Sequence, residues 1–400
     1  MATQVRTIYR PGLTGTIVDS MVQTLPTRGP RLLQSELHRP GRVFEHITPN
    51  WFASVMGTGI VATAGATLPV HVPGLHAFAT VVWLIASTAL VALSVAFLVH
   101  WVRHRRNARA ALHDPVMVQF YGAPPMALLT VGAGTMLLGK DLIGAGAATT
   151  VFAVLWSAGT VLGLITSVAV PYSMITRPSD GQTRPLPAWL MPVVPPMVSA
   201  STGALLLPHI AEGQWRLTML GACYAMFGLS LLIGIMTMTL IYGQLLGGGA
   251  PPVQAAPTVW ITLGLIGQSI TAANLLGADA ALVFVGPDSG VGPDNAVATG
   301  LEIFGIVYGF IMGGLGFLMF CLALALTVHS SRRGLSFSLT WWSFTFPVGT
   351  CVTGAAALAA ATGSTALVGL AAVLYVLLLA AWVTVATRTA HGSLRGELLG

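Results

Sequence analysis

The chain has 400 residues, of which 54% are hydrophobic and only 8% charged, whereas a soluble domain carries roughly 25% charge. So few charges cannot build a water-facing surface, which excludes an ordinary soluble enzyme and makes lipid the solvent for most side chains. The net charge of +6 does not point to nucleic acid, because the bases form no groove-reading motif and sort instead by membrane side.

Residues 1–48 carry six Arg with several Pro and Gly and no apolar core of signal-peptide length. They are expected to be a mostly disordered cytoplasmic tail. Ten stretches follow that are each long and apolar enough to cross a bilayer, at about 20 residues per crossing. They run roughly over 50–69, 76–101, 116–138, 145–170, 188–208, 217–241, 257–277, 299–328, 337–361 and 365–388. The reading is thus one transmembrane domain, 49–388, with a second cytoplasmic tail at 389–400.

With both ends inside, 16 of the 18 Lys and Arg fall on the cytoplasmic side, and Lys140 and Arg216 fall outside. That excess is what the positive-inside rule expects. Asp141, Glu212, Asp279, Asp288 and Asp294 mark the outer connections. His71, His76 and His209 near the outer face read as interface residues.

Odd-numbered spans are rich in Pro, Gly, Ser and Thr, and even-numbered spans are plain aliphatic. Prolines recur in the odd set at Pro49, at Pro124 and Pro125, at Pro192, Pro195 and Pro196, at Pro257 and at Pro347. This spacing suits a repeated helical hairpin. A proline inside a helix frees a carbonyl and bends the rod, and such backbone is tolerated at membrane depth only against protein or a wet cavity. The expected architecture is an inner ring of five kinked, parallel helices, each followed by an outer, lipid-facing one. Five amino termini converging near the loop arginines would favour anions.

The spans are almost empty of charge, Glu302 being the exception near the outer end of the eighth. Intramembrane ionisable groups mark proton relays, cation sites or catalysis, so their scarcity argues against a carboxylate-driven pump and against an enzyme. Cys223, Cys321 and Cys351 lie in apolar segments without metal-ligand spacing and read as packing residues. No metal and no cofactor is expected.

Five motifs carry a resemblance. They are Pro49-Asn-Trp-Phe-Ala-Ser-Val-Met-Gly-Thr-Gly-Ile, Gly122-Ala-Pro-Pro-Met, Trp189-Leu-Met-Pro-Val-Val-Pro-Pro-Met-Val, Gly264-Leu-Ile-Gly-Gln-Ser and Trp341-Trp-Ser-Phe-Thr-Phe-Pro-Val-Gly. In this order, over about residues 44–388, they resemble the tellurite-resistance/dicarboxylate transporter family. That family includes bacterial tellurite-resistance proteins, fungal malate permeases and sulfite pumps, and plant slow-type anion channels. The resemblance implies an all-α integral membrane protein of ten helices, in five hairpins around a quasi-five-fold central pore. It also implies a homotrimer with one pore per subunit in the plasma membrane. The expected activity is transport of small anions as a channel or facilitator. The alternatives are a proton-linked malate or C4-dicarboxylate carrier or a sulfite exporter and, more remotely, an integral-membrane enzyme.

The resemblance further implies a phenylalanine plug from the ninth helix, placed at Phe346, with Phe344 as the alternative on another helix face. A ring with an electron-rich face and weakly positive edge excludes water when closed and offers its edge when rotated. Phe52 and Phe120 are candidates to line the same lumen, as are Pro124, Pro195, Thr345 and Pro347. Gly57 and Gly59 either line it or let helices approach closely. Thr58 and Gln268 either offer donors to a partly hydrated anion or bond between helices.

Overall fold

In the computed structural model, residues 44–45, 47–177, 184–284 and 296–395 are described. The tails expected at the two ends of the chain fall largely outside them. The described residues form helices α1 (Phe52–Thr67), α2 (Leu75–Arg103), α3 (Arg105–His113), α4 (Ala123–Gly134), α5 (Ala145–Thr176), α6 (Pro195–Gly203), α7 (Gln214–Gly248), α8 (Ile261–Asp279), α9 (Ala296–Ser331), α10 (Phe346–Thr362) and α11 (Thr365–Leu394). Among the described residues, eight helical stretches are long and apolar enough to cross a membrane. The protein is an all-α, multi-pass membrane protein. The first and fifth expected spans are built from shorter pieces. One is the 16-residue α1 behind a 3-10 turn at Pro49–Trp51. The other is the nine-residue α6 between 3-10 helices at Pro187–Leu190 and Ala204–His209.

Two local designs alternate along the chain. Helices α2, α5, α7, α9 and α11 run unbroken for 29, 32, 35, 36 and 30 residues. The segments between them start as 3-10 helix and then switch to α. Met117–Gly122 leads into α4, Val253–Trp260 into α8 and Leu339–Phe344 toward α10. The expectation that prolines sit inside the odd spans as kinks holds for Pro257, interior to the 3-10 stretch Val253–Trp260, and needs correction at three others. Pro124, Pro195 and Pro347 stand in the first α-helical turn, where a missing N–H breaks no bond and the fixed φ suits helix entry. They define a joint between two helix types. Pro171, by contrast, is interior to a helix, on α5 near its end.

Burial separates the two designs. The most apolar window of Val253–Phe284 is 94% buried, whereas those of Ala296–Ser331 and Thr365–Leu394 are 17% buried. Packing neighbours are equally ordered: α1 touches α4, α4 touches α6, α6 touches α8, α8 touches α10, and α10 touches α1. Each of these also packs on the long helix that follows it, as α1 does on α2 and α10 on α11.

Indole donors tie neighbouring units together. Trp83 Nε1 on α2 donates to the Val131 carbonyl of α4 at 3.3 Å, and Trp156 on α5 to the Ser199 carbonyl of α6 at 3.0 Å. Trp382 on α11 donates to Thr58 Oγ1 of α1 at 3.2 Å, joining the last helix to the first. Away from water, such polar groups find partners inside the protein. Glycines let backbones meet: a Cβ on Gly267 of α8 would lie 2.4 Å from the Thr350 carbonyl carbon of α10.

Candidate functional site

Two cavities lie along the buried segments, and among the described residues Phe346 alone borders both. The first measures about 20 Å³ and is walled by Ala53 and Met56, Phe120 and Met126, Met191 and Val194, Ile261 and Gly264, and Ser343, Phe346 and Pro347. Each of these five groups comes from a different proline-bearing segment, near its amino-terminal end. That volume holds about one water, and almost every wall atom is apolar.

The second cavity measures about 210 Å³ and takes the later part of the same segments. Thr63 and Thr67 come from α1, Thr130 from α4, Ser201 and Thr202 from α6, Gln268 and Thr271 from α8, and Thr353 from α10. No charged side chain lines either cavity.

The hydroxyls are not idle. Thr130 Oγ1 donates to the Met126 carbonyl at 2.6 Å, Thr202 to Val198 at 2.7 Å, Thr271 to Gly267 at 3.0 Å and Thr353 to Thr350 at 3.1 Å. This back-bonding lets a hydroxyl sit in a helix at membrane depth. Thr271 Oγ1 and Thr353 Oγ1 also lie 2.9 Å apart and share a hydrogen bond across α8 and α10. Gln268 Nε2 donates to Ser201 Oγ, while Gln268 Oε1 is buried without a partner. An unsatisfied buried acceptor costs about 1–3 kcal/mol, a cost that only a hydrogen-bond donor such as water would remove.

The backbone turn that carries Phe346 is fixed by its neighbours. Phe346 is 2% exposed and opens α10 one residue after the 3-10 stretch Leu339–Phe344, with Thr345 at the joint. Thr345 Oγ1 donates to the Trp342 carbonyl at 2.7 Å, and Trp342 Nε1 to Thr389 Oγ1 at 3.1 Å. Gly57 makes room for this turn, since a Cβ there would meet Thr345 Oγ1 at 2.2 Å and Trp342 Cε3 at 2.7 Å. A Cβ on Gly349 would collide with Ile60 Cγ1 at 2.4 Å.

The residues singled out from the sequence separate into two groups. Phe346, Pro347 and Phe120 border the small cavity and Gln268 the large one. The others lie outside both linings. Phe52 packs edge-on against Phe97 at 5.6 Å, and Thr58 accepts the Trp382 indole. Gly57 and Thr345 face each other, and Gly59 abuts Thr130. Pro124 is half-buried at the start of α4, and Pro195 lies against Gly163 of α5. Phe344 stacks edge-on with Trp260 and Trp341, each at 5.6 Å, two residues from Phe346 but in a separate aromatic cluster. The methionines of the small cavity and the threonines of the large one were not picked out. Hydroxyl residues in the later part of every odd span were the available signal.

A bundle of long apolar helices around uncharged, hydroxyl-lined cavities belongs to the class of membrane transport proteins. Among the described residues no three His, Cys, Asp or Glu converge into a metal site. Residues 46–390 match the voltage-dependent anion channel family, and the chain belongs to that family. This is the wider family of the tellurite-resistance/dicarboxylate transporters that the five motifs resemble. Its members transport anions and are not enzymes. The chain is similar to the uncharacterized transporter MJ0576 of Methanocaldococcus jannaschii, 26% identical over 312 residues, covering 78% of this chain and 83% of that one. It is also similar to the sulfite efflux pump SSU1 of Arthroderma otae, 26% identical over 353 residues, covering 88% and 92%. The sulfite efflux pump SSU1 of Trichophyton rubrum is 26% identical over 307 residues, covering 76% and 80%.

Proposed function

We propose that the protein passes small anions through a pore stoppered by Phe346. The observation that carries this reading is the position of that ring between two cavities walled by the same five segments. The circuit of contacts from α1 through α4, α6, α8 and α10 back to α1 supports ten spans in five hairpins, set as a quasi-five-fold ring. The order in which each segment lines first the small and then the large cavity supports a parallel inner set. The distribution of Lys and Arg supports cytoplasmic termini, and the family resemblance is the ground for reading the protein as a plasma-membrane homotrimer.

Moving a bare ion through the apolar ring has a cost of tens of kcal/mol in the dry limit. Conduction therefore requires the Phe346 side chain to swing and water to enter. Beyond it, Thr and Ser hydroxyls and the Gln268 amide replace part of the hydration shell. Hydroxyl protons now held by helix carbonyls turn toward a passing anion at about the cost of one hydrogen bond, roughly 1 kcal/mol. No cationic clamp lines the path, so binding is weak and flux high.

Likeness to sulfite efflux pumps places sulfite in the panel of anions to test, beside C4-dicarboxylates, chloride and nitrate. The experiment is reconstitution of the full chain in planar bilayers under gradients of chloride, nitrate, sulfite and malate, at two pH values. Anion-selective reversal potentials that ignore pH support a channel, and potentials that move with the proton gradient support the proton-linked carrier. Saturable uptake at micromolar malate sinks the weak-binding reading.

A further inference from the structure

A third cavity, of about 360 Å³, lies off the axis between α8, α9, α10 and α11. Its back wall is Ile266 and Ile270 of α8 with Cys351 and Ala355 of α10, and its floor is the glycine face of α9. Its mouth is bounded by Phe317 on α9 and Val373 on α11, which are 73% and 68% exposed. Both sit well inside spans whose apolar windows are 17% buried, so the opening is part of the surface that faces acyl chains.

The choice of occupant follows by elimination. Apart from the Cys351 thiol, the walls are Leu, Ile, Val, Ala, Gly and Phe. Water needs polar partners, and an apolar space of this kind stays dry. Left void, the lining forfeits its dispersion contacts on one side. The medium at the mouth supplies a rod of methylenes that restores them. We propose that this pocket is a binding site for one phospholipid acyl chain. The chain lies directly behind the wall of the large axial cavity. Helices α8 and α10 give Gln268 and Thr353 to that cavity and Ile270 and Cys351 to this one, and their backbones touch at Gly267 and Gly354.

The test uses the full-length protein in nanodiscs containing a phospholipid with a diazirine in its acyl chain. After irradiation, adducts are mapped by mass spectrometry. Adducts are expected on α10 residues 351–358, which lipid reaches through this pocket, as well as on the outward side of α11 at Val376 and Val383. Gly313→Phe fills the pocket from α9, where an added Cβ meets nothing within 4 Å, and is expected to cut the α10 adducts at least fivefold while those at Val376 and Val383 stay. Leu370→Trp at the half-exposed mouth is a second block if the first variant folds poorly. Labelled α11 with unlabelled α10 overturns the proposal, as does labelling of α10 unchanged in both variants. Efficient disulfide formation between copies carrying Gly313→Cys identifies a second copy as the occupant and also overturns it.

Discussion

Helices α8 and α9 are chain neighbours packed on each other, yet one is almost wholly buried and the other mostly bare. The buried one is the less apolar of the two, the reverse of what a water-soluble protein would show. In lipid an aliphatic surface gains nothing by hiding, so small and hydroxyl-bearing residues decide which helix goes inside. The glycines make the same point. Gly267 of α8 admits the backbone of α10, whereas Gly313 and Gly314 of α9 have no atom within 4 Å of where a Cβ would stand.

The sharpest way to break this contrast is Gly267→Leu. The obstacle is the Thr350–Cys351 peptide, at 2.4–2.6 Å from the new Cβ, and backbone cannot rotate aside as a side chain can. Overpacking of that kind is expected to cost about 3 kcal/mol or more. Size-exclusion profiles and thermal unfolding in detergent should show loss of the monodisperse protein. A variant that behaves like wild type would mean that the α8–α10 contact is not a fixed part of the wall.

Next in size is the ring itself. Phe346→Ala is expected to join the two cavities that Phe346 borders, and because each 1.4 kcal/mol off a barrier is about tenfold, anion conductance is expected to rise at least about tenfold. Phe344→Ala, in its separate cluster with Trp260 and Trp341, is expected to leave conductance within about twofold at equal folded yield. If Phe344→Ala opens the protein and Phe346→Ala does not, the plug is misassigned.

The inner and outer sets were legible in the sequence because composition is a local property. The proline, glycine and hydroxyl content of the odd segments against the aliphatic runs of α9 or α11 needed no knowledge of tertiary contacts. The rotation of each segment was less legible. A 3-10 stretch turns 120° per residue and an α-helix 100°, so a helical wheel drawn through Leu339–Thr362 loses phase where the two meet at Thr345. That is why Phe344 and Phe346 were hard to separate. Pro124, Pro195 and Pro347, read as kinks, turned out to begin α-helices, because a proline's preference for the first turn is satisfied by a joint that sequence periodicity does not show.

A smaller effect belongs to the wall beyond the ring. Gln268→Leu removes an amide whose oxygen lacks a partner and whose nitrogen donates to Ser201. These two changes offset each other in stability. Conductance measured in the Phe346→Ala background, where the wall and not the plug limits flow, is expected to fall about two- to tenfold, in keeping with roughly 0.5–1.5 kcal/mol for one hydrogen bond. The loss should be larger for anions that hold water tightly, since they depend most on a substitute for it. Equal conductance for every anion would take Gln268 out of the path.

The smallest expected effect completes the contrast between the two neighbouring helices. Gly314→Leu puts on α9 the same side chain that is expected to wreck α8 at Gly267. Gly314 is exposed and its Cβ position open, so the new side chain points into acyl chains and also removes glycine's conformational penalty of about 1 kcal/mol in a helix. Stability in bilayers is expected to stay level or rise slightly, with conductance unchanged. A marked loss of folded protein would show that this face of α9 is covered by protein, which in a homotrimer means a neighbouring copy. Cross-linking through paired cysteines at this position would then decide how the copies are arranged.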